Sequence, residues 1–500
     1  MSPKNRQAHS LWQQGLHFYH QQQFDAALAA YGQVIALNPD FADVYVDRGL
    51  LYMDIQHHEL ALADLSRAVE LNPDSFDACN HLGLVLLALK HFRPALECFE
   101  KALELNPSSG EVYNSIGVAF AGNGQLDIAR EYYEKALKLN PELGAAFCNL
   151  ANTFSRLNEY DAAMEYFDKA LALDPEDAQA NANKSLSLLV QARFDEGWPL
   201  YEYRFKANPK RLEKMNVPGR LWLGTQSIRD KTILLSHEAG FGDTIQFSRY
   251  AALVSALGAK VILHVQPALS DVMKTLKGVD GVIAHNEALT PETLDQYPPF
   301  DVYCPLMSLP LAFKTTFETI PGRTPYLSAD PVKVAAWESR LGRKTKPRVG
   351  LVWSGNPQFH NDQKRSIMLP QFLPYLPDNC DYISLKKEVN DIDRIIFAAM
   401  TEWKHYEEEL ADFSDTAALC ALMDVVVSVD TSVAHLSGAL GKPTWLMLPF
   451  SPDWRWLLGR RDSPWYPGMR LYRQNEPGNW NDVFEDVRRD LLGLQLDGVS

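Results

Sequence analysis

Two patterns of apolar and polar positions divide the chain. In the first two hundred residues, apolar positions recur at helical spacing and are cut by Leu-Asn-Pro at Pro39, Pro73, Pro107 and Pro141 and by Leu-Asp-Pro at Pro175, each 34 residues after the last. Counting back from each proline, Gly15, Gly49, Gly83, Gly117 and Ala151 share one register. Ala27, Ala61, Ala95, Ala129 and Ala163 share a second, and Tyr31, Leu65, Phe99, Tyr133 and Phe167 a third. Past residue 230 the pattern changes to short β-branched runs that alternate with helical stretches. Residues 231–236, 261–265, 281–284, 300–303, 348–354, 381–385, 425–429 and 444–448 read as strands, and the alternation predicts parallel sheets. The run 425–429 is too apolar to sit half in water, so it predicts a strand buried on both faces.

The period and its registers resemble the tetratricopeptide repeat, with about five full repeats over residues 8–175. A degraded sixth follows, marked by Phe194-Asp-Glu-Gly-Trp198 and Tyr201-Glu-Tyr-Arg204. The resemblance implies an α solenoid whose small residues sit where paired helices touch, with a concave groove for an extended peptide or protein partner. Asp43, Asp77 and Glu111 share a register near the start of the first helix of a pair, and Asn80 and Asn114 share another. The three carboxylates read as solvated complements of the helix dipole.

Candidate chemistry lies in the turns that follow the strands. Asp430, Thr431 and Ser432 are good N-caps after 425–429, and Gly441-Lys-Pro443 stops the helix they open. Such a turn leaves free N–H groups and the positive end of a helix dipole at the carboxyl edge of a sheet, which suits the diphosphate of a donor. Earlier, His237-Glu-Ala-Gly-Phe-Gly-Asp243 is a glycine-bearing turn with Gly240 and Gly242. Asp243 is the candidate general base, with Glu238 the alternative carboxylate and helix capping its structural role. Lys364 and Arg365 are candidate phosphate cations, and which of them points inward stays open. His435 lies four residues after Thr431 on one helix face, where it either meets the donor or is hydrogen-bonded in the core.

Gly240-Phe-Gly-Asp243, Gly350-Leu-Val-Trp-Ser-Gly355 and Asp430-Thr-Ser-Val-Ala-His-Leu436, in that order, resemble the heptosyltransferase-type glycosyltransferases of family 9, over roughly residues 230–495. The resemblance implies a GT-B fold of two Rossmann-like α/β halves and inverting transfer from a nucleotide-sugar donor without a metal or other cofactor. It further implies that Asp243 acts as base and that the basic pair at Lys364 and Arg365 meets the donor phosphates. Glu388, in Ser384-Leu-Lys-Lys-Glu388, falls where the family places a carboxylate for the ribose. His237 and Glu238 depart from the small or apolar residues usual before the glycine, which keeps the choice of base open.

The expected organisation is a repeat solenoid over 1–210, an acceptor-side half over 211–330 and a donor-side half over 331–500, with a linker over 321–347 and the last helix, 481–494, packing back across both halves. Length supports several domains. A formal net charge of −15 argues against nucleic acid or an anionic membrane as the main partner. The six cysteines show no ligand spacing and read as reduced thiols. Residues 1–10 lack the apolar core of a signal peptide, and no stretch has the length of a bilayer span, so a cytoplasmic location is expected. Asp391-Ile-Asp393 has the spacing of a metal-binding DxD but reads as the acidic start of a helix. Trp454, Trp456 and Trp465 with their arginines either cap the donor or form a structural cluster. The function expected is sugar transfer to a protein acceptor chosen by the repeats. The alternatives are a scaffold that senses nucleotide sugars and, more remotely, an epimerase-like enzyme acting on the nucleotide sugar. The sequence leaves the nucleotide, the sugar, the acceptor and homo-oligomer formation open.

Overall fold

The computed structural model describes residues 3–208, 211, 219–286, 298–358, 362–400 and 403–495. Pro218 of the expected connector and Asn361 beside the basic pair lie outside them. The chain forms two compact units that divide between Ala180 and Asn181, upstream of the expected boundary at 210. The degraded sixth repeat is the reason. Its aromatic residues are buried in the second unit, where Trp198 Nε1 donates to the Thr315 carbonyl at 2.8 Å and the indole meets Trp454 edge-on at 5.3 Å.

The first unit is a stack of helix pairs: Pro3–His20 with Phe24–Leu37, Ala42–Asp54 with His58–Leu71, Phe76–Ala88 with Phe92–Leu105, Gly110–Gly122 with Leu126–Leu139, and Gly144–Arg156 with Tyr160–Leu173. The sequence registers interlock inside each pair. A Cβ on Gly15, Gly49, Gly83 or Gly117 would lie 2.5, 2.7, 2.4 or 2.5 Å from Tyr31, Leu65, Phe99 or Tyr133 respectively, closer than packed atoms approach. The missing side chain is therefore the space that the partner fills. Gly83→Val is expected to destabilise the repeats by about 1–3 kcal/mol, because Phe99 is fully buried and cannot retreat. Gly32 is the control: it is helical with nothing within 4 Å of an added Cβ, so Gly32→Ala should stabilise by about 0.5–1 kcal/mol. Denaturant unfolding of the two variants checks both signs. Asp43, Asp77 and Glu111 are exposed in first helical turns, in keeping with solvated dipole partners.

The second unit holds two five-stranded sheets, parallel throughout. The first is ordered β1-β5-β2-β3-β4, with β1 Arg220–Leu221, β2 Thr232–Ser236, β3 Lys260–Val265, β4 Gly281–Ala284 and β5 Val302–Pro305. The second is ordered β10-β9-β8-β6-β7, with β6 Arg348–Val352, β7 Asp381–Ser384, β8 Val425–Val429, β9 Thr444–Leu448 and β10 Met469–Arg473. Central β8 and its neighbour β6 are buried along their whole length, as apolar runs in a doubly covered parallel sheet must be. Edge strands β1 and β10 escaped the sequence reading because one has only two exposed residues and the other carries Arg470 and Arg473.

Two expectations need correction. The region 321–347 is not simply a linker, since it contains the helix Pro331–Leu341, whose N-cap Asp330 accepts from the Val332 and Lys333 N–H groups at 2.7 and 3.4 Å. Buried Trp337 and Leu341 tie that helix to the second sheet's core. The final helix, Asn481–Leu492, does not pack back across both halves. Its apolar face of Val483, Phe484, Val487 and Leu491 is buried in the second sheet's core with Phe372, Val349 and Leu351. Among the described residues, no helix is long and apolar enough to cross a membrane.

Candidate functional site

Two strand-to-helix turns meet at the carboxyl edges of the two sheets. β2 leads through residues 237–240 into the helix Phe241–Ser248, and β8 leads through Asp430 and Thr431 into the helix Ser432–Ala439. Gly242 lets the helix starts approach. A Cβ there would lie 2.8 Å from His435 Cδ2 and 3.5 Å from Ser432 Cα. Each helix start points unsatisfied N–H groups toward this junction.

Asp243 sits in the first turn of the Phe241–Ser248 helix, a quarter exposed. Its Oδ2 accepts from the Gly240 N–H at 2.9 Å, and its Oδ1 accepts from Arg455 Nη2. Arg455 is the residue that the sequence reading missed. It follows β9 in the short turn Trp454–Trp456 and is buried. Its Nε donates to Gln246 Oε1 at 2.7 Å and its Nη1 to Asp453 Oδ1 at 2.8 Å. The guanidinium lies 4.6 Å from the Trp454 ring centroid. One arginine of the second half thus joins a carboxylate of each half, and its only sequence signal was a cation held between two tryptophans.

Glu238, the rival base, is otherwise engaged. Its side chain is fully buried and takes both prongs of Arg204, Nη2 to Oε1 at 2.8 Å and Nε to Oε2 at 2.9 Å. Arg204 also bonds Glu202 at 2.6 Å and Ser308 Oγ at 2.7 Å. Of the two carboxylates, only Asp243 is open to a ligand.

Asp430 carries the second half of the junction. Its main-chain carbonyl accepts from Arg365 Nη1, and its Oδ1 lies 3.9 Å from His435 Nε2. Burial, and then the neighbouring Asp453, push its pKa up to about 6, against the indole of Trp456 and the guanidinium groups of Arg365 and Arg455. Native Asp430 therefore binds its proton more tightly than an unfolded aspartate. Its contribution to stability is present at low pH and is lost as the pH rises through about 6. Wild type should gain stability relative to Asp430→Asn as the pH is lowered from 7 to 5. Denaturant midpoints that keep a constant offset across that range would sink the assignment.

Thr431 Oγ1 is 3.1 Å from Ser428 Oγ, and Ser432 opens the helix half-buried. His435 is buried, pairs through Nδ1 with Tyr466 hydroxyl at 2.9 Å and stacks on Trp456 at 5.2 Å. Desolvation, with Arg455, Arg249 and Arg365 nearby, holds its pKa well below the usual histidine range, so it stays neutral. Trp454, Trp456 and Trp465 are likewise buried; Trp454 and Trp465 form a ring cluster with Phe247, while Trp456 lies against His435 and Tyr466.

The basic pair divides. Arg365 turns inward, bonding Asp362 Oδ1 at 3.2 Å as well as Asp430, and lies against Gly355; Lys364 is exposed. Glu388 is exposed in the loop after β7. Asp391 and Asp393 start the helix Asp391–Ala399 under Asn390 as N-cap, and Asp393 accepts from Trp353 Nε1 at 3.0 Å. A cavity of about 570 Å³ opens at the opposite, amino edge of the second sheet. Of its four cations, Lys442 and Arg348 cap the carbonyls of Ala421 and Gly342, Lys344 pairs with Asp424, and Arg343 is exposed.

The repeats match known families. Residues 76–109, 110–143 and 144–177 each match a tetratricopeptide repeat model, residues 42–75 match another, and residues 15–56 match a TPR repeat model. Residues 15–177 are tetratricopeptide repeats. Protein FlbA of Caulobacter vibrioides is 27% identical over 322 residues, a span longer than the array, which covers 60% of this chain and 52% of FlbA. The chain thus spans about half the length of that curated relative. Among solved structures, MamA is 27% identical with a TM-score of 0.30, covering 33% of this chain and 96% of its own. PilF of Pseudomonas aeruginosa is 18% identical with a TM-score of 0.36, covering 41% and 94%. A tetratricopeptide array supports a role in protein interaction.

Proposed function

We propose that the second unit is a GT-B glycosyltransferase that moves a sugar from a nucleotide-sugar donor by inverting, metal-independent transfer, and that the repeats select a protein acceptor. The observation that carries this reading is the convergence of Asp243, Arg365, the Asp430 turn and two helix starts at the carboxyl edges of two parallel sheets. In open α/β sheets that edge is where phosphorylated ligands bind. In the reaction, the acceptor nucleophile attacks the anomeric carbon and passes its proton to Asp243. The bond from that carbon to the diphosphate breaks, and the leaving group takes the electron pair. Arg365 and the N–H groups of the Ser432–Ala439 helix stabilise the charge that develops on it. His435 and Trp456 hold the turn that presents them.

Calorimetric titration with uridine, guanosine, adenosine and cytidine diphosphates tests the reading. One of them should bind the wild type, and Asp430→Ala or Arg365→Ala should weaken it; absence of binding at millimolar concentration removes its main support. A nucleotide-sugar sensor without turnover is the second reading, favoured by the engagement of both Asp243 oxygens with Arg455 and Gly240. Nucleotide binding without donor hydrolysis or transfer to any protein offered would favour the sensor.

A further inference from the structure

Lys386 follows β7 and is a further cation at the carboxyl edge of the second sheet. Its ammonium donates to the Ser354 carbonyl at 3.0 Å and to Ser354 Oγ, and lies 5.3 Å from the centroid of the Trp353 ring. No carboxylate of the described residues comes within 4.0 Å of it. The nearby acids are committed elsewhere. Asp393 takes the Trp353 N–H, Asp362 takes Arg365 and Ser366, and Glu388 points from an exposed loop. A largely buried ammonium whose hydrogen bonds go to neutral oxygens is costly unless an anion completes the site. Burial is also the first cause that holds its pKa below the usual lysine value.

The setting supplies the anion's place. Ser354 and Gly355 form the turn after β6, with Lys386 bonded to Ser354 on one side and Arg365 against Gly355 on the other. Arg365 reaches on to the carbonyl of Asp430. The two cations therefore flank one backbone turn that abuts the start of the Ser432–Ala439 helix. An ammonium has three donors, and two of those on Lys386 are used by Ser354, which leaves one for a ligand.

We propose that Lys386 is a phosphate-binding residue of the donor site and that Lys386 and Arg365 grip the diphosphate group of a nucleoside diphosphate from the two sides of the Ser354–Gly355 turn. This rests on the transferase reading and names the residue that fixes the donor's charged group. The sequence reading passed over it in favour of Glu388, since Lys386 and Lys387 are adjacent and only burial tells them apart. Lys387 is exposed and bonds the Ala411 carbonyl at 2.9 Å.

The test is calorimetric titration of the full chain with the four nucleoside diphosphates and with inorganic pyrophosphate. The proteins compared are wild type, Lys386→Gln, Lys386→Met, Lys386→Arg and Lys387→Gln. Lys386→Gln keeps a donor for Ser354 while removing the charge, so it is informative even where Lys386→Met fails to fold. The expected result is at least tenfold weaker binding of the nucleotide and of pyrophosphate by Lys386→Gln, partial recovery in Lys386→Arg, and unchanged binding by Lys387→Gln. Binding to the wild type should also take up protons at alkaline pH, visible as a heat that depends on the buffer, and Lys386→Gln should lose this. Wild-type affinity in Lys386→Gln overturns the proposal and leaves the transferase reading standing. No binding of any probe to the wild type overturns both.

Discussion

Glu238→Ala is expected to lower the unfolding free energy of the second unit by about 3–5 kcal/mol, the usual range for removing one partner of a buried ion pair. The cost comes from what remains. Arg204, at 5% exposure, would keep a charge between Glu202 and Ser308 with two of its N–H groups facing a void. Glu202 limits the loss, because it also bonds Arg204 and stands 21% exposed. Replacing both partners, Glu238→Leu with Arg204→Met, should recover part of the stability lost by Glu238→Ala, since the buried Arg204 charge goes and the Glu202 carboxylate left behind is 21% exposed and keeps its bond from Ser308 Oγ at 2.9 Å. Denaturant unfolding of the single and double variants measures this. Equal losses in both would mean that packing, and not charge, decides the site.

On the transferase reading, Asp243→Asn is expected to slow sugar transfer by about two to four orders of magnitude, the range for removing a general base, while leaving nucleoside diphosphate affinity within a few-fold of wild type. An amide oxygen can still accept the Gly240 N–H or an Arg455 N–H, so the helix start keeps its shape. What it loses is the capacity to take a proton. Arg455 sharpens the expectation: on the transferase reading its pairing with Asp243 must loosen for a proton to be taken, so transfer should depend on Arg455 as well. Single-turnover assays with the nucleotide identified by calorimetry give the measurement. A variant that transfers at the wild-type rate removes Asp243 from the chemistry and returns the choice of base to a group outside the two strand turns.

The repeats were legible because a 34-residue period states the same structural fact several times over, and each glycine register names the space its partner fills. β8 and the helix after it were legible because Val425–Val429 and Asp430-Thr-Ser432 put a buried strand next to residues that favour helix starts, although the N-cap is Thr431 and not Asp430 and its side chain makes no cap hydrogen bond. Contacts between distant segments were not. Arg455 lies more than two hundred residues from Asp243, and its place between two tryptophans does not say which carboxylate it meets. The same holds for Lys386 beside Lys387 and Arg365 beside Lys364, where neighbours of like chemistry part company only through burial. Edge strand β10 hid because its arginines broke the apolar pattern, as exposed edges commonly do.

The pairing of glycine with a large apolar side chain also bears on how the chain acquires its structure. Each glycine finds its partner sixteen residues later, from Gly15 to Tyr31 through Gly117 to Tyr133, so the first unit is built from contacts of short sequence separation. β2, by contrast, pairs with β5 through Ile233 and Val302, a loop of about seventy residues that must close first. Low contact order favours rapid folding, and solenoids grow by adding one repeat to the last. During synthesis the array can therefore be complete, and able to hold a partner, while the strands of the second unit are still emerging.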